Sequence, residues 1–325
     1  MVTQESINLC NLDGLKQLRN KDLTVLIIQE STLWVGSKYG LFSLDLDTYR
    51  LKSYYHDSEV LGSISDNYIQ DFVLDKNSLL WIATTEGVNL YDKDKEKFKH
   101  YKQQPFSDNG LSVNDIISLY IDKENLVWLG TYVGGVNILD PNQHQFEHLL
   151  TKSDVINLGN NTAIHGIVKD QYEALWLASY GGGLIHYDLM TGKISRPLTD
   201  QNIEYDKFAW NLMIDHHDRL WQASLDELNI IDVKSKKKYM TQFIVDGDVK
   251  QNMEGVNRIF EDNLGGIWIV SEYGFFRCDS VTMVDNQLMV SITDLTSSLP
   301  KSYTSYIKAI GSIVQDQNGN FLVGG

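Results

Sequence analysis

From Ile116 to Leu149 the chain reads as four short apolar runs divided by polar turns: Ile116 to Asp122, Val127 to Thr131, Val136 to Leu139 and Gln145 to Leu149. Asp122-Lys123-Glu124-Asn125 has the composition of a hairpin turn, Gly134-Gly135 permits positive φ, and Asp140-Pro141-Asn142 starts another turn. Runs of this length, bounded in this way, predict four antiparallel strands rather than helices.

The same pattern recurs along the whole chain. Tryptophans stand at Trp34, Trp81, Trp128, Trp176, Trp221 and Trp268, at spacings of 47, 47, 48, 45 and 47 residues, with only Trp210 off the grid. An aspartate lies six positions before the tryptophan at Asp75, Asp122, Asp170, Asp215 and Asp262. A second follows it by 11 or 12 positions at Asp45, Asp92, Asp140, Asp188, Asp232 and Asp279. Between them fall Gly40-Leu41, Gly87-Val88, Gly135-Val136, Gly183-Leu184 and Gly274-Phe275. A seventh copy begins at Asp316, with Leu322 in the tryptophan slot, and the chain stops inside it at Gly324-Gly325. The first copy is irregular, with Ile28 in the aspartate slot and the short turn Gln29-Glu30-Ser31-Thr32.

Four strands in about 47 residues, repeated about seven times, predict an all-β fold: one seven-bladed β-propeller over residues 1–325. Its last blade is incomplete, or is closed by an amino-terminal strand in residues 2–9, where Ser6-Ile7-Asn8-Leu9 alternates. The tryptophans are expected to pack between blades and the aspartates to bond their own turns.

Composition narrows the function. Seventeen tyrosines, seven tryptophans and four prolines in 325 residues describe a folded, aromatic-rich chain. The net charge of −15 repels phosphate backbones and anionic lipid, so nucleic acid is not an expected partner. The basic run Lys234 to Lys238 reads as a solvated hairpin turn. Cys10 and Cys278 neither demand a disulfide nor exclude an oxidising compartment. No apolar run reaches the length of a membrane span, and Met1-Val2-Thr3-Gln4-Glu5 lacks signal-peptide regions, which leaves a cytosolic chain and a trimmed exported one both open.

The unit Ile117-Ser118-Leu119-Tyr120-Ile121-Asp122, Val127-Trp128-Leu129-Gly130-Thr131, Gly134-Gly135-Val136 resembles the two-component-regulator propeller repeat, and Asn89-Leu90-Tyr91-Asp92 and His186-Tyr187-Asp188 match its closing part. The resemblance implies a periplasmic sensor region of a bacterial receptor, the chain being the amino-terminal propeller of a longer protein. Downstream domains of the same receptor, ending in a histidine-kinase or diguanylate-cyclase output, would be partners, and a homodimer would transmit the signal.

In a propeller, ligands meet the loops joining second to third strands and the loops entering the first strand. The former carry Tyr39, Glu86, Tyr132, Tyr180, Asp226 and Tyr273; the latter carry Asn67, Tyr68, Asn114, His165, Lys207, Phe208, Trp210, Asn257, Arg258, Tyr303 and Tyr306. Residues that break the repeat are the informative ones, because packing already explains those that keep it. Glu86, Asp226, Trp210, His165 and Arg258 break it. With Tyr39, Tyr132, Tyr180 and Tyr273 they form the candidate ligand-binding set, suited to an oligosaccharide through ring stacking and carboxylate hydrogen bonds, and equally to a protein partner. Blade five departs most, with Leu225-Asp226-Glu227 replacing the glycine turn.

Two other classes stay in view: a carbohydrate lyase or hydrolase, and a protein-interaction scaffold. Catalysis has little support. Glu86 and Asp226 lie three repeats apart, too far for a carboxylate pair; His216-His217 falls in a turn with no third metal ligand suggested by spacing; Gly181-Gly182-Gly183 precedes no helix. The expectation is a non-catalytic sensing domain with no cofactor and no metal.

Overall fold

The computed structural model describes Leu18 and residues 21–103, 110–142, 145–150, 163–198, 208–224, 226–298, 312–316 and 320–324. Among these residues there is no α-helix, and the strands form seven sheets. Blades one to five are four-stranded antiparallel meanders. Blade three, for example, runs Ile116–Ile121, Val127–Thr131, Val136–Asp140 and Gln145–Leu150, within a residue of the expected bounds. Successive first strands touch one another around the ring: Leu23–Gln29, Ile69–Leu74, Ile116–Ile121, Ala163–Lys169, Ala209–Ile214 and Val256–Glu261, with Ser312–Gln315 of blade seven against blade one.

The core is divided into interfaces between blades. Trp34 packs on Ile64, Ile69 and Ile82 of blade two, Trp81 on Ile116 and Leu129 of blade three, and Trp128 on Ile164 and Leu177 of blade four. Trp176, Trp221 and Trp268 continue the series onto blades five, six and seven. The ring closes because Leu322, in the tryptophan slot, and Val314 pack against Leu26, Leu33, Val35 and Phe42 of blade one, with Leu18 in the same cluster.

Five of the six repeat tryptophans are held from below by the aspartate six residues earlier. The Trp128, Trp176, Trp221 and Trp268 indole nitrogens donate to the second carboxylate oxygen of Asp122, Asp170, Asp215 and Asp262 at 2.8 Å, and Trp81 donates to Asp75 at 3.3 Å. The first oxygen accepts two backbone amides of the turn, in Asp170 those of Tyr172 and Ala174 at 2.8 and 3.0 Å. The residue three positions after each aspartate takes positive φ, from 57° at Asp218 to 82° at Gly265. This is a type I turn closed by a left-handed residue, and the carboxylate fixes it. The aspartates therefore bond both their own turns, as expected, and the tryptophan ring, which the spacing alone did not reveal.

Three blades depart from the rule. In blade one, where Ile28 replaces the aspartate, the Gln29 carboxamide oxygen accepts the Trp34 indole N–H at 2.9 Å. In blade six the marker Asp279 does not turn the chain: it is an extra residue in a bulge between Cys278 and Ser280, and the strand Gly274–Val284 runs on to a turn at Asp285-Asn286. Blade six also gains two outer strands. Thr241–Val245 pairs parallel to Gln287–Asp294, and Asp248–Lys250 caps the edge, giving six strands instead of the expected four antiparallel ones. Phe243 and Val245 alternate as a strand, and they bury beside Val290 and Ile292. Blade seven shows only Ser312–Gln315 and Phe321–Gly324 among the described residues; residues 2–9, expected to complete it, and Cys10 lie outside them. The basic run forms a turn at Lys236 and the two-residue strand Lys237–Lys238.

Asp170→Ala should lower stability by about 3–5 kcal/mol, because it strands buried N–H groups, while Gln29→Ala in the more open turn should cost about 1 kcal/mol. Urea unfolding of both variants checks the difference; equal losses would remove the carboxylate from its central place.

Candidate functional site

The first strands carry a repeated irregularity near one end of the ring. The pairing of first and second strands slips by one residue at Thr24, Gln70, Ile117, His165, Trp210 and Asn257, each the unpaired residue of a bulge. Bulges twist a strand and re-aim side chains. His165 and Trp210, singled out because they broke the sequence repeat, are thus the bulge residues of blades four and five, and Arg258 directly follows that of blade six.

The position after the bulge ties neighbouring blades together. A first strand is a sheet edge, with backbone groups lacking a partner inside its own blade. Asp71 accepts the Leu119 amide of blade three at 2.7 Å, Asn211 the Ile259 amide of blade six at 3.0 Å, and Ser312 the Leu26 amide of blade one at 2.8 Å. Ser118 completes the pattern from the other side by donating to the Ile164 carbonyl at 2.7 Å. Asp71 is the charged member of this belt. Burial pushes its carboxyl up to about 6, against the opposing pull of the Leu119 amide and the Arg258 guanidinium. Burial first, and the Arg258 charge second, lower the His165 pKa, so the imidazole is neutral at neutral pH. Arg258 therefore acts electrostatically on residues of blades two and four.

On blades four and five this belt opens into an aromatic cluster. His165 lies 6.2 Å from Tyr180 and 6.2 Å from Trp210 between ring centroids, the latter edge-on. Tyr180 lies 5.7 Å from Trp210 and 4.8 Å from Phe208, and Phe208 stacks on Trp210 at 6.3 Å. A backbone bridge between Tyr180 and Phe208 holds the two loops together. Tyr180 remains 42% exposed, so the cluster faces solvent. Three residues of the candidate set thus meet, and Phe208, present in the loop inventory but not singled out, joins them.

The other candidates stand apart. Tyr39, Tyr132 and Tyr273 are each more than half exposed on the same end of the ring, Tyr39 beneath the Lys21 ammonium at 5.4 Å. Glu86 lies 3.9 Å from Lys102 and helps burial raise the Asp115 pKa. The Asp226 carbonyl accepts from Asn252 at 2.6 Å. Glu86 and Asp226 have separate surroundings on blades two and five. Asn67 and Asn114 bond backbone amides of His56 and Gln103, which gives them a part in loop structure. Leu225, Lys207, Tyr303 and Tyr306 lie outside the described residues. Asp71 had no sequence signal of its own; only alignment on the bulge reveals it. At the other end of the ring, His216 bonds Glu261 of the next blade and its ring lies 3.9 Å from that of His217.

Comparison with known proteins fits this architecture. The sequence profile described as two component regulator propeller matches residues 110–133, the span that holds the first and second strands of blade three and ends in the loop before its third. The chain carries the two-component regulator propeller repeat. No curated protein sequence matches it. Among solved structures, the extracellular domain of a hybrid two-component system from B. thetaiotaomicron is 19% identical with a TM-score of 0.71, the match covering 93% of this chain and 38% of that one. The extracellular domain of a one-component system from the same organism is 17% identical with a TM-score of 0.52, covering 93% and 52%. Virginiamycin B lyase from Staphylococcus aureus is 12% identical with a TM-score of 0.59, covering 91% and 90%. The likeness at these identities is one of fold, and the chain spans about two-fifths and one-half of the first two structures.

The repeat's channel wall makes a pH prediction. Because the Asp71 carboxyl is raised from 3.8 to about 6, the folded state holds a proton over that interval that the unfolded chain releases. The stability this group contributes is present below the lower value and is lost as pH rises through the upper one. Asp71→Asn, which keeps an acceptor for Leu119, should flatten stability against pH in that window and exceed the parent at neutral pH, as urea midpoints across the window would record.

Proposed function

We propose that this propeller is the extracytoplasmic, periplasmic ligand-sensing part of a bacterial signal-transduction receptor, that it is non-catalytic, and that it takes an oligosaccharide on the His165, Tyr180, Phe208 and Trp210 cluster. The observation that carries the reading is that cluster: rings from two blades, fixed by a backbone bridge and by bulges, on the loop end of the ring. Aromatic faces receive the C–H faces of sugar rings, while neutral His165 and the Arg258 guanidinium supply polar contacts toward the channel. Support for a receptor context comes from the repeat itself and from the fold shared with extracellular domains of two-component and one-component systems.

Signalling in such a receptor is a population shift, and a ligand moves it only by its differential affinity for two arrangements. The rigid, interlocked blades suit a domain that moves as a unit, so the second arrangement lies in contacts with downstream domains or with a second copy.

A thermal-shift screen against plant, algal and host oligosaccharides tests the reading, since a ligand bound only by the folded state raises the melting temperature by mass action. One glycan class should raise it, the glycan should be recovered unchanged, and Trp210→Ala or Tyr180→Ala should weaken binding by about tenfold or more. Turnover of the glycan would establish a lyase or hydrolase instead. A shift insensitive to both substitutions would move the site elsewhere on the ring.

A further inference from the structure

The irregular turn of blade one has a structural consequence at the end of the ring opposite the aromatic cluster. In blades two, three and five, five residues connect the last paired residues of the first and second strands, as between Leu74 and Leu80, and they fold under the tryptophan around its aspartate. In blade one, Gln29 already pairs with Thr32, so the connection is Glu30-Ser31 alone. The space that the longer turn fills elsewhere is left as a cleft of about 500 Å³ between blades one and two.

Three rings line its inner part. Trp34 meets Tyr91 edge-on at 4.9 Å, and Tyr54 lies 5.7 Å from Trp34 and 5.8 Å from Tyr91. The Gln29 carboxamide is engaged at both ends, accepting from Trp34 and donating to the Ser78 carbonyl of blade two at 2.5 Å, so it braces the wall. Two ion pairs join the blades across the opening: Lys93 to Glu30 at 3.1 Å, and Lys52 to Glu96 at 2.5 Å. The Lys52 ammonium also sits 5.3 Å above the Tyr54 ring. Lysines and glutamates alternate around the mouth, so the field there is balanced and holds a built-in ammonium on an aromatic face and a carboxylate.

From this cleft we infer a second binding site, distinct from the sensing cluster, for a small zwitterion of dipeptide size. Both mouth pairs are largely exposed, and pairs of that kind contribute little, so exchanging their partners is easy. The ligand's ammonium takes the place of Lys52 against Glu96 and the Tyr54 ring, a position that favours cations electrostatically. Its carboxylate is received by Lys52, thus released, and by Lys93, whose partner Glu30 is 72% exposed and returns to water, while an apolar or aromatic side chain enters toward Trp34 and Tyr91. A molecule with only one charge would make only one of these two charge-assisted contacts.

Isothermal titration of the whole chain with glycyl-tyrosine, its N-acetyl form, its C-terminal amide and maltose tests the site. The free dipeptide should bind saturably, and each blocked form about tenfold more weakly, as expected for one lost charge-assisted contact. Glu96→Gln and Lys93→Met should each weaken the free dipeptide by about tenfold at unchanged melting temperature, whereas Trp210→Ala should leave it alone. Should Glu96→Gln fold poorly, Lys93→Met carries the test. Equal binding of the blocked forms, no binding of the free dipeptide, maltose binding lost in the same variants, or indifference to both substitutions would each overturn the inference.

Discussion

A repeated buried carboxylate organises this protein. Asp75, Asp122, Asp170 and Asp215, each six residues before a tryptophan, are buried, and each holds its position because backbone amides and an indole N–H converge on its two oxygens, as in Asp170. Burying an uncompensated charge would be prohibitive; burying a satisfied one fixes both a turn and a ring. The ring so fixed is the knob each blade presents to the next, and the interfaces that follow make up most of the core. Where one partner is missing, the consequences are local and visible: Gln29 replaces the carboxylate in blade one at the expense of a full turn, and in blade seven, where Asp316 still bonds its turn, Leu322 fills the tryptophan slot by apolar contact.

The inner wall is governed by a different constraint. The first strands would expose sheet edges toward one another, and side chains placed just past a bulge in blades two, three and five, with Ser312 in blade seven, satisfy those edges across blade boundaries. The same bulges turn His165 and Trp210 out of the regular alternation. The candidate ligand-facing side chains here are a by-product of the way the ring is closed, since the bulge residue is the one freed from pairing.

The two ends of the ring are chemically unlike. One carries the loops between second and third strands, with exposed tyrosines and the four-ring cluster. The other carries the aspartate turns, braced blade to blade by contacts such as Gln171 to Asp218 and Lys169 to Glu124. A fold used for sensing in some proteins and for elimination in others does not choose between them; the side chains at these ends do.

The sequence by itself determined the repeat, the strands within it, the interface role of the tryptophans and the end of the ring where loops would gather, because those follow from periodicity and from turn chemistry that acts within a few residues. It also marked His165 and Trp210 as exceptions. It did not reveal that Asp279 would become a bulge or that Thr241–Val245 would join the edge of blade six, since strand partnership depends on which edge is open once neighbours have packed. Nor did it reveal that Asp71, Arg258 and His165, from blades two, six and four, would share one electrostatic environment, that Phe208 would join the rings, or that a turn shortened at Glu30-Ser31 would leave a cleft. Those features belong to the packing of blades around the ring, which brings together residues distant in the chain and which no local pattern encodes.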